Sequence, residues 1–105
     1  MTDYEYIRDK VPGDELLCQL MEECGELSAA ANHLRRARNG VNPTIIPFDQ
    51  AEANFAEEVA DVLTTLNAIG GYTSALQIDE DVIQAMRYKA ERWKARLKAN
   101  GIEAD

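Results

Sequence analysis

Apolar side chains return every three or four residues along three long stretches of this chain. That spacing gathers them on one side of an α-helix and leaves the other side polar. Leu17, Leu20, Met21, Cys24, Leu27, Ala31 and Leu34 mark a first long helix, helix A. It is predicted to start at Asp14 as N-cap and to run to about Arg38, where Asn39-Gly40 stops it. Phe55, Val59, Val62, Leu63, Leu66 and Ile69 mark helix B, from near Asp49. Leu76 continues its spacing, so helix B is expected to run through Gly70-Gly71 to about Ser74. Val82, Ile83, Met86, Ala90, Trp93 and Leu97 mark helix C, capped by Asp79 and closed by Asn100-Gly101. Tyr4 to Lys10 reads as a short first helix or arm ended by Val11-Pro12-Gly13. Pro43 and Pro47 make Val41 to Phe48 a connector, with Ile45 and Ile46 packing down. Nothing in the chain gives a strand pattern, so the expected fold class is all-α, an antiparallel helical bundle.

At 105 residues and 46% apolar, the chain is sized for a single domain spanning 1–105. A domain this small leaves much of its surface exposed, so the bundle is expected to be completed by homo-oligomerisation, as a homodimer or homotetramer. The net charge of -8 argues against a nucleic-acid polymer as partner, because affinity for phosphate backbones comes mainly from Lys and Arg. No apolar run approaches the roughly 20 residues that span a bilayer, and no charged-then-apolar leader opens the sequence, so no membrane association is expected. Cys18 and Cys24 point in different directions on one helix and cannot bridge each other. These features together read as cytoplasmic.

Charge is unevenly placed. Asn39 to Met86 carries no Lys or Arg, whereas Arg87 to Lys98 carries six of the eleven cations. Helix A holds Glu22-Glu23-Cys24-Gly25-Glu26 and helix B holds Glu57-Glu58-Val59-Ala60-Asp61. Glu23 with Glu26, and Glu58 with Asp61, are i, i+3 pairs whose Cβ atoms lie about 5 to 6 Å apart, close enough for both carboxylates to reach one cation. On a wheel, Glu23 and Glu26 fall roughly 90° and 150° to one side of helix A's stripe, and Glu58 and Asp61 take the matching side of helix B. Antiparallel packing of A on B then brings both pairs to one side of the hairpin.

A solvated acidic face is the plain reading of any Glu-rich stretch. Here none of Glu23, Glu26, Glu58 and Asp61 has a Lys or Arg three or four positions away, and Glu22 with Glu26 and Glu57 with Asp61 are repulsive i, i+4 pairs. A bound divalent ion would reverse that sign. Oxygen-only ligands point to a hard cation, Mg²⁺ or Mn²⁺. A di-iron carboxylate bundle would need Glu-X-X-His, but His33, the sole histidine, follows Ala30, and it reads as a surface or interface residue. Lys89, Arg92 and Arg96 share one flank of helix C, where they either hold phosphates or simply favour the helix C-terminus.

Glu22-Glu23-X-X-Glu26, then Glu58-X-X-Asp61 about thirty residues on, then Lys89-X-X-Arg92-Trp93-X-X-Arg96, resembles the MazG-type all-α nucleotide pyrophosphohydrolases. The similarity covers roughly Asp14 to Arg96, and the ordered pair of acidic motifs is its specific part. The resemblance implies a MazG-type bundle that hydrolyses an NTP or dNTP, non-canonical ones included, to the monophosphate and pyrophosphate. It implies Mg²⁺ on Glu23, Glu26, Glu58 and Asp61, with Glu22 in a general-base or outer-shell part, so that Glu22 and Glu23 are the catalytic candidates. Lys89, Arg92 and Arg96 become the substrate-binding candidates. Ala90 and Thr65 depart from residues some relatives carry, which leaves base and sugar recognition open. Two other functions fit the same residues: a non-catalytic helical dimerisation or regulatory module, and a nucleotide sensor without turnover.

Overall fold

A computed structural model of the chain describes residues 1–70, 73–74, 77–78 and 80–101. Four helices account for most of it: α1 (Asp3–Lys10), α2 (Gly13–Asn39), α3 (Phe48–Ile69) and α4 (Glu80–Ala99). The all-α class expected from the periodicity is therefore observed. Between α3 and α4 lies a minimal antiparallel ladder, β1 (Thr73–Ser74) with β2 (Gln77–Ile78), pairing Thr73 with Ile78 and Ser74 with Gln77. No sequence pattern marks it, because two-residue strands are too short to show alternation.

Local chemistry sets the helix ends. Thr2 caps α1 through a reciprocal box: its hydroxyl accepts from the Glu5 amide at 3.1 Å while the Glu5 carboxylate accepts from the Thr2 amide at 3.4 Å. The α2 helix starts at Gly13 behind Pro12, so Asp14 lies in the first turn and favours the dipole there without capping. Gly40, at φ 64°, closes α2 in a left-handed conformation that costs glycine nothing, and its amide donates to the Arg36 carbonyl at 3.0 Å. Likewise α3 starts at Phe48 behind Pro47, one residue earlier than expected. It ends at Ile69, and the expected run through Gly70-Gly71 to Ser74 does not occur. Asp79, expected to cap the last helix, lies outside the described residues.

Helices α2 and α3 form an antiparallel hairpin, the principal packed unit. Its α2 seam follows Leu16, Leu20, Leu27, Ala30 and Leu34, with Leu16 and Ala30 buried. The expected stripe includes Leu17, Met21, Cys24 and Ala31, which instead face outward; Leu17 and Met21 are 51% and 68% exposed. The apolar surface of α2 is thus wider than one neighbour can cover, and α3 takes one edge of it. In the connector, Ile46 is half-buried but Ile45 is fully exposed, contrary to expectation. The Arg36 guanidinium fixes this loop by donating to the Asn42 and Pro43 carbonyls, both at 2.7 Å.

Among the described residues, helix α4 packs on none of the other helices beyond marginal contact. Its Met86, Tyr88 and Trp93 are all exposed, and no large side chain among the described residues is fully buried. The radius of gyration is 17.3 Å, against about 13 Å for a compact chain of this length.

α1 is attached to the hairpin by Arg8, which donates to the Ala68 carbonyl at 2.9 Å and the Asn67 carbonyl at 3.0 Å, both in the last turn of α3. Gly70 lies directly beneath: at φ 76°, a Cβ there would sit 2.7 Å from the Arg8 Cζ. Arg8→Ala should cost about 1 to 2 kcal/mol of stability, from the lost charge-assisted bonds. Gly70→Ala should also destabilise, and less in an Arg8→Ala background, because the displaced guanidinium is already gone. Urea unfolding of the two single variants and the double variant checks this; strictly additive costs would refute the coupling.

Candidate metal centre

Helix periodicity and the antiparallel register bring the two acidic motifs face to face. Glu23, Glu26, Glu58 and Asp61 each offer a carboxylate oxygen, and the four oxygens all lie within 4.8 Å of one another. The coordination sphere of Mg²⁺ is about 4.2 Å across and that of Ca²⁺ about 5 Å, so small side-chain adjustments bring the quartet onto one hard ion.

Glu23 and Glu58 are half-buried, whereas Glu26 and Asp61 are exposed. Glu23 stands four residues before Leu27 and three after Leu20, which places it on the seam itself, closer to α3 than the helical wheel puts it. One oxygen on each of the two inner residues, Glu23 Oε2 and Glu58 Oε2, is buried without a hydrogen-bond partner. The other Glu23 oxygen, Oε1, accepts from Gln19 Nε2 at 2.7 Å, which orients the carboxylate along the helix. No Lys or Arg pairs with any of the four among the described residues. An acceptor-only group shielded from water with nothing to accept from is costly, and a cation is the partner its chemistry calls for.

Electrostatics agrees with the geometry. Burial, first, and then the charges of Glu26, Asp61 and Glu22 hold the Glu23 carboxyl above its ordinary range, against the opposing Gln19 hydrogen bond. Glu58 is raised by the same causes: burial, then Glu26, Asp61 and Glu23, and a hydrogen bond with Glu26 that favours its protonated form. Asp61 sits one turn before Thr65, a buried residue whose hydroxyl donates to the Asp61 carbonyl at 2.9 Å.

The other sequence candidates lie apart from this quartet. Glu22 is adjacent in sequence but exposed, turned away from the seam. Lys89, Arg92 and Arg96 are exposed on α4, which does not pack on the hairpin, and form no ion pair among the described residues. Arg92 lies 5.5 Å from the centroid of the Tyr88 ring instead. His33, which the sequence suggests is a surface or interface residue, is half-buried and lines a cleft beside the quartet with Asn54 and Glu57. Its position one turn beyond Ala30, on the seam side of α2, is the sequence signal for that placement. The chain matches no family model, no curated protein and no solved structure.

Raised carboxyl pKa values favour the protonated form in the fold, so this contribution to stability is full below the ordinary carboxylate value of 4.5 and is lost as pH rises through the raised values. In the presence of a chelator, Glu58→Gln should therefore raise the melting temperature, and its advantage over the unaltered protein should widen from pH 4.5 to about pH 8. Added Mg²⁺ should reverse the order. A gap that does not change with pH, in melting curves followed by circular dichroism, would refute the electrostatic account.

Proposed function

We propose that this chain is a Mg²⁺-dependent nucleoside triphosphate pyrophosphohydrolase of the MazG type, acting on an NTP or dNTP, with Mn²⁺ as the alternative ion. The observation that carries the reading is the meeting of four acids from two helices around two inward oxygens that nothing else satisfies. Four oxygen ligands favour a hard cation over zinc or copper. A magnesium ion held there would draw the triphosphate into place, offset its charge and lower the pKa of an attacking water.

The roles of the chain's own residues follow from their exposure. Glu23 and Glu58, half-buried, form the fixed part of the ligand set; Glu26 and Asp61, exposed, form the part that faces an incoming phosphate. Glu22, exposed and next to Glu23 in sequence, is the carboxylate outside the set assigned to accept a proton from water. Water oxygen adds to phosphorus, the anhydride between the α- and β-phosphates breaks, the water proton passes to the base, and monophosphate and pyrophosphate leave.

The cationic candidates Lys89, Arg92 and Arg96 lie on α4, which does not pack on the hairpin among the described residues, while the hairpin's own Arg35, Arg36 and Arg38 stand at the connector end of α2. We assign the cover to a second copy. Laying α4 of one subunit over the exposed Leu17 and Met21 of the other buries Met86 and Trp93 and brings Lys89, Arg92 and Arg96 toward the acids. The same exposed faces also suit a purely associating module, so the acids decide between the two readings.

Two measurements test this. With Mg²⁺ and a panel of canonical and altered nucleotides, pyrophosphate release is expected from at least one, and Glu23→Gln or Asp61→Ala should lower kcat about a hundredfold or more. No release from any nucleotide would overturn the enzyme; tight Mg²⁺-dependent binding without release would indicate a sensor. In sedimentation equilibrium the protein is expected as a dimer or larger, and Trp93→Asp should drive it toward monomer. A monomeric unaltered protein would remove the second copy from the scheme.

A further inference from the structure

One edge of α2 carries a repeat that the hairpin does not cover. Leu17, Met21, Cys24, Ser28 and Ala31 follow one another at alternating steps of four and three, and the same steps continue to Arg35 and Arg38 at the connector end. All of these residues are exposed. Alternation of three and four is the spacing of a seam along which one helix lies on another, because it keeps a single stripe facing the neighbour over many turns. The same repeat runs along α4 in Ile83, Met86, Ala90, Trp93 and Leu97, with Met86 and Trp93 more than half exposed. The lengths agree as well. α4 has 20 residues, about 30 Å at 1.5 Å per residue, and the stretch of α2 from Leu17 to Arg38 is about as long.

Resting on the association of two copies in the pyrophosphohydrolase reading, we propose that α4 of one subunit lies antiparallel along this edge of α2 in the other, with its acidic first turn at Arg35 and Arg38. Charge chooses the direction. α2 opens on Asp14 and Glu15 and closes on Arg36 and Arg38, and α4 opens on Glu80 and Asp81 and closes on Arg96 and Lys98. Laid antiparallel, the two helices set acids against cations at both ends, and their dipoles oppose favourably. Laid parallel, they set like charges together at both ends. Arg35 and Arg38 form no ion pair among the described residues, so nothing within the chain competes with Glu80 for them.

Size fixes the register. With Glu80 beside Arg38, equal steps along both helices set Met86 against Ala31, Trp93 against Cys24 and Leu97 against Met21. Bulky side chains of α4 thus meet small ones of α2, and the seam closes without overlap. Room for Met86 is already present: a cleft of about 410 Å³ lies between Ala31, Leu34 and Phe55, walled by Arg35 and Arg38. A methionine there covers apolar surface of both hairpin helices, and two-fold symmetry repeats the seam on the other side of the dimer.

Site-directed disulfide formation tests the direction, in the full chain carrying Cys18→Ser and Cys24→Ser. Met21→Cys with Leu97→Cys reports the antiparallel seam, and Arg35→Cys with Leu97→Cys reports the parallel one. Under mild oxidation the first pair is expected to give a covalent dimer on a denaturing gel while the second stays monomeric. Equal or greater crosslinking by the second pair, a disulfide closed within one chain, or no crosslink from either would each overturn the proposal.

Charge exchange tests the pairing without cysteines. Arg38→Glu alone and Glu80→Arg alone should each weaken self-association about tenfold in sedimentation equilibrium, from two reversed pairs per dimer. Mixed together, the two variants should form the heterodimer in preference, because both of its seams then join opposite charges. A mixture that associates no better than either variant by itself would overturn the pairing. Pyrophosphate release by the unaltered protein is scored separately: an antiparallel crosslink without release sinks the enzyme and spares the seam, and release without that crosslink sinks the seam and spares the enzyme.

Discussion

Glu23 and Glu58 occupy seam positions between two packed helices, where apolar side chains would ordinarily meet. On α2, Leu20 and Leu27 flank Glu23 one turn to either side, and the outer acids Glu26 and Asp61 close the group. Two half-buried carboxylates beside two exposed ones, with no cation paired to any among the described residues, is an arrangement that opposes the packing around it. The fold tolerates the cost locally by shifting both inner carboxyls toward their protonated forms. Strain of this kind is concentrated where a ligand relieves it, and this is the ground on which a metal site is proposed at the quartet.

The rest of the molecule is arranged around that hairpin with opposite charge and surplus apolar surface. The four acids lie on α2 and α3, and from Asn39 to Met86 the sequence carries no Lys or Arg. α4 supplies six cations and an exposed Trp93, but it does not fold back on the hairpin. Outward-facing Leu17 and Met21 leave α2 with a second apolar edge. An amphipathic helix without a partner and a hairpin with an uncovered edge are complementary in both hydrophobicity and charge.

How much of this is legible in the sequence differs from element to element. The existence and type of all three long helices follow from periodicity, because a 3.6-residue repeat sustained over several turns fits neither a strand nor a loop. Helix ends are less legible. Leu76 keeps the spacing and so argues for a helix through Gly70, yet α3 ends at Ile69 and the Asn67 and Ala68 carbonyls of its last turn accept from Arg8, about sixty residues away, an interaction no local pattern contains. A stripe centred on all the apolar residues of α2 puts Leu17 and Met21 inward; the helix has more apolar surface than α3 covers, and only packing shows which edge is used.

Residue spacing by itself determined that Glu23 shares a face with Glu26 and that Glu58 shares one with Asp61, since the geometry of one helix is fixed over a single turn. It also determined that the charges are segregated, a matter of counting. Tertiary structure decided the rest: that the two pairs meet within one ion's reach, that Glu23 and Glu58 lose part of their water, and that His33, Asn54 and Glu57 share a cleft beside them. The physical reason is that desolvation and convergence depend on which helix faces are pressed together. That choice is made by long-range packing over the whole hairpin, and no window of the sequence encodes it alone.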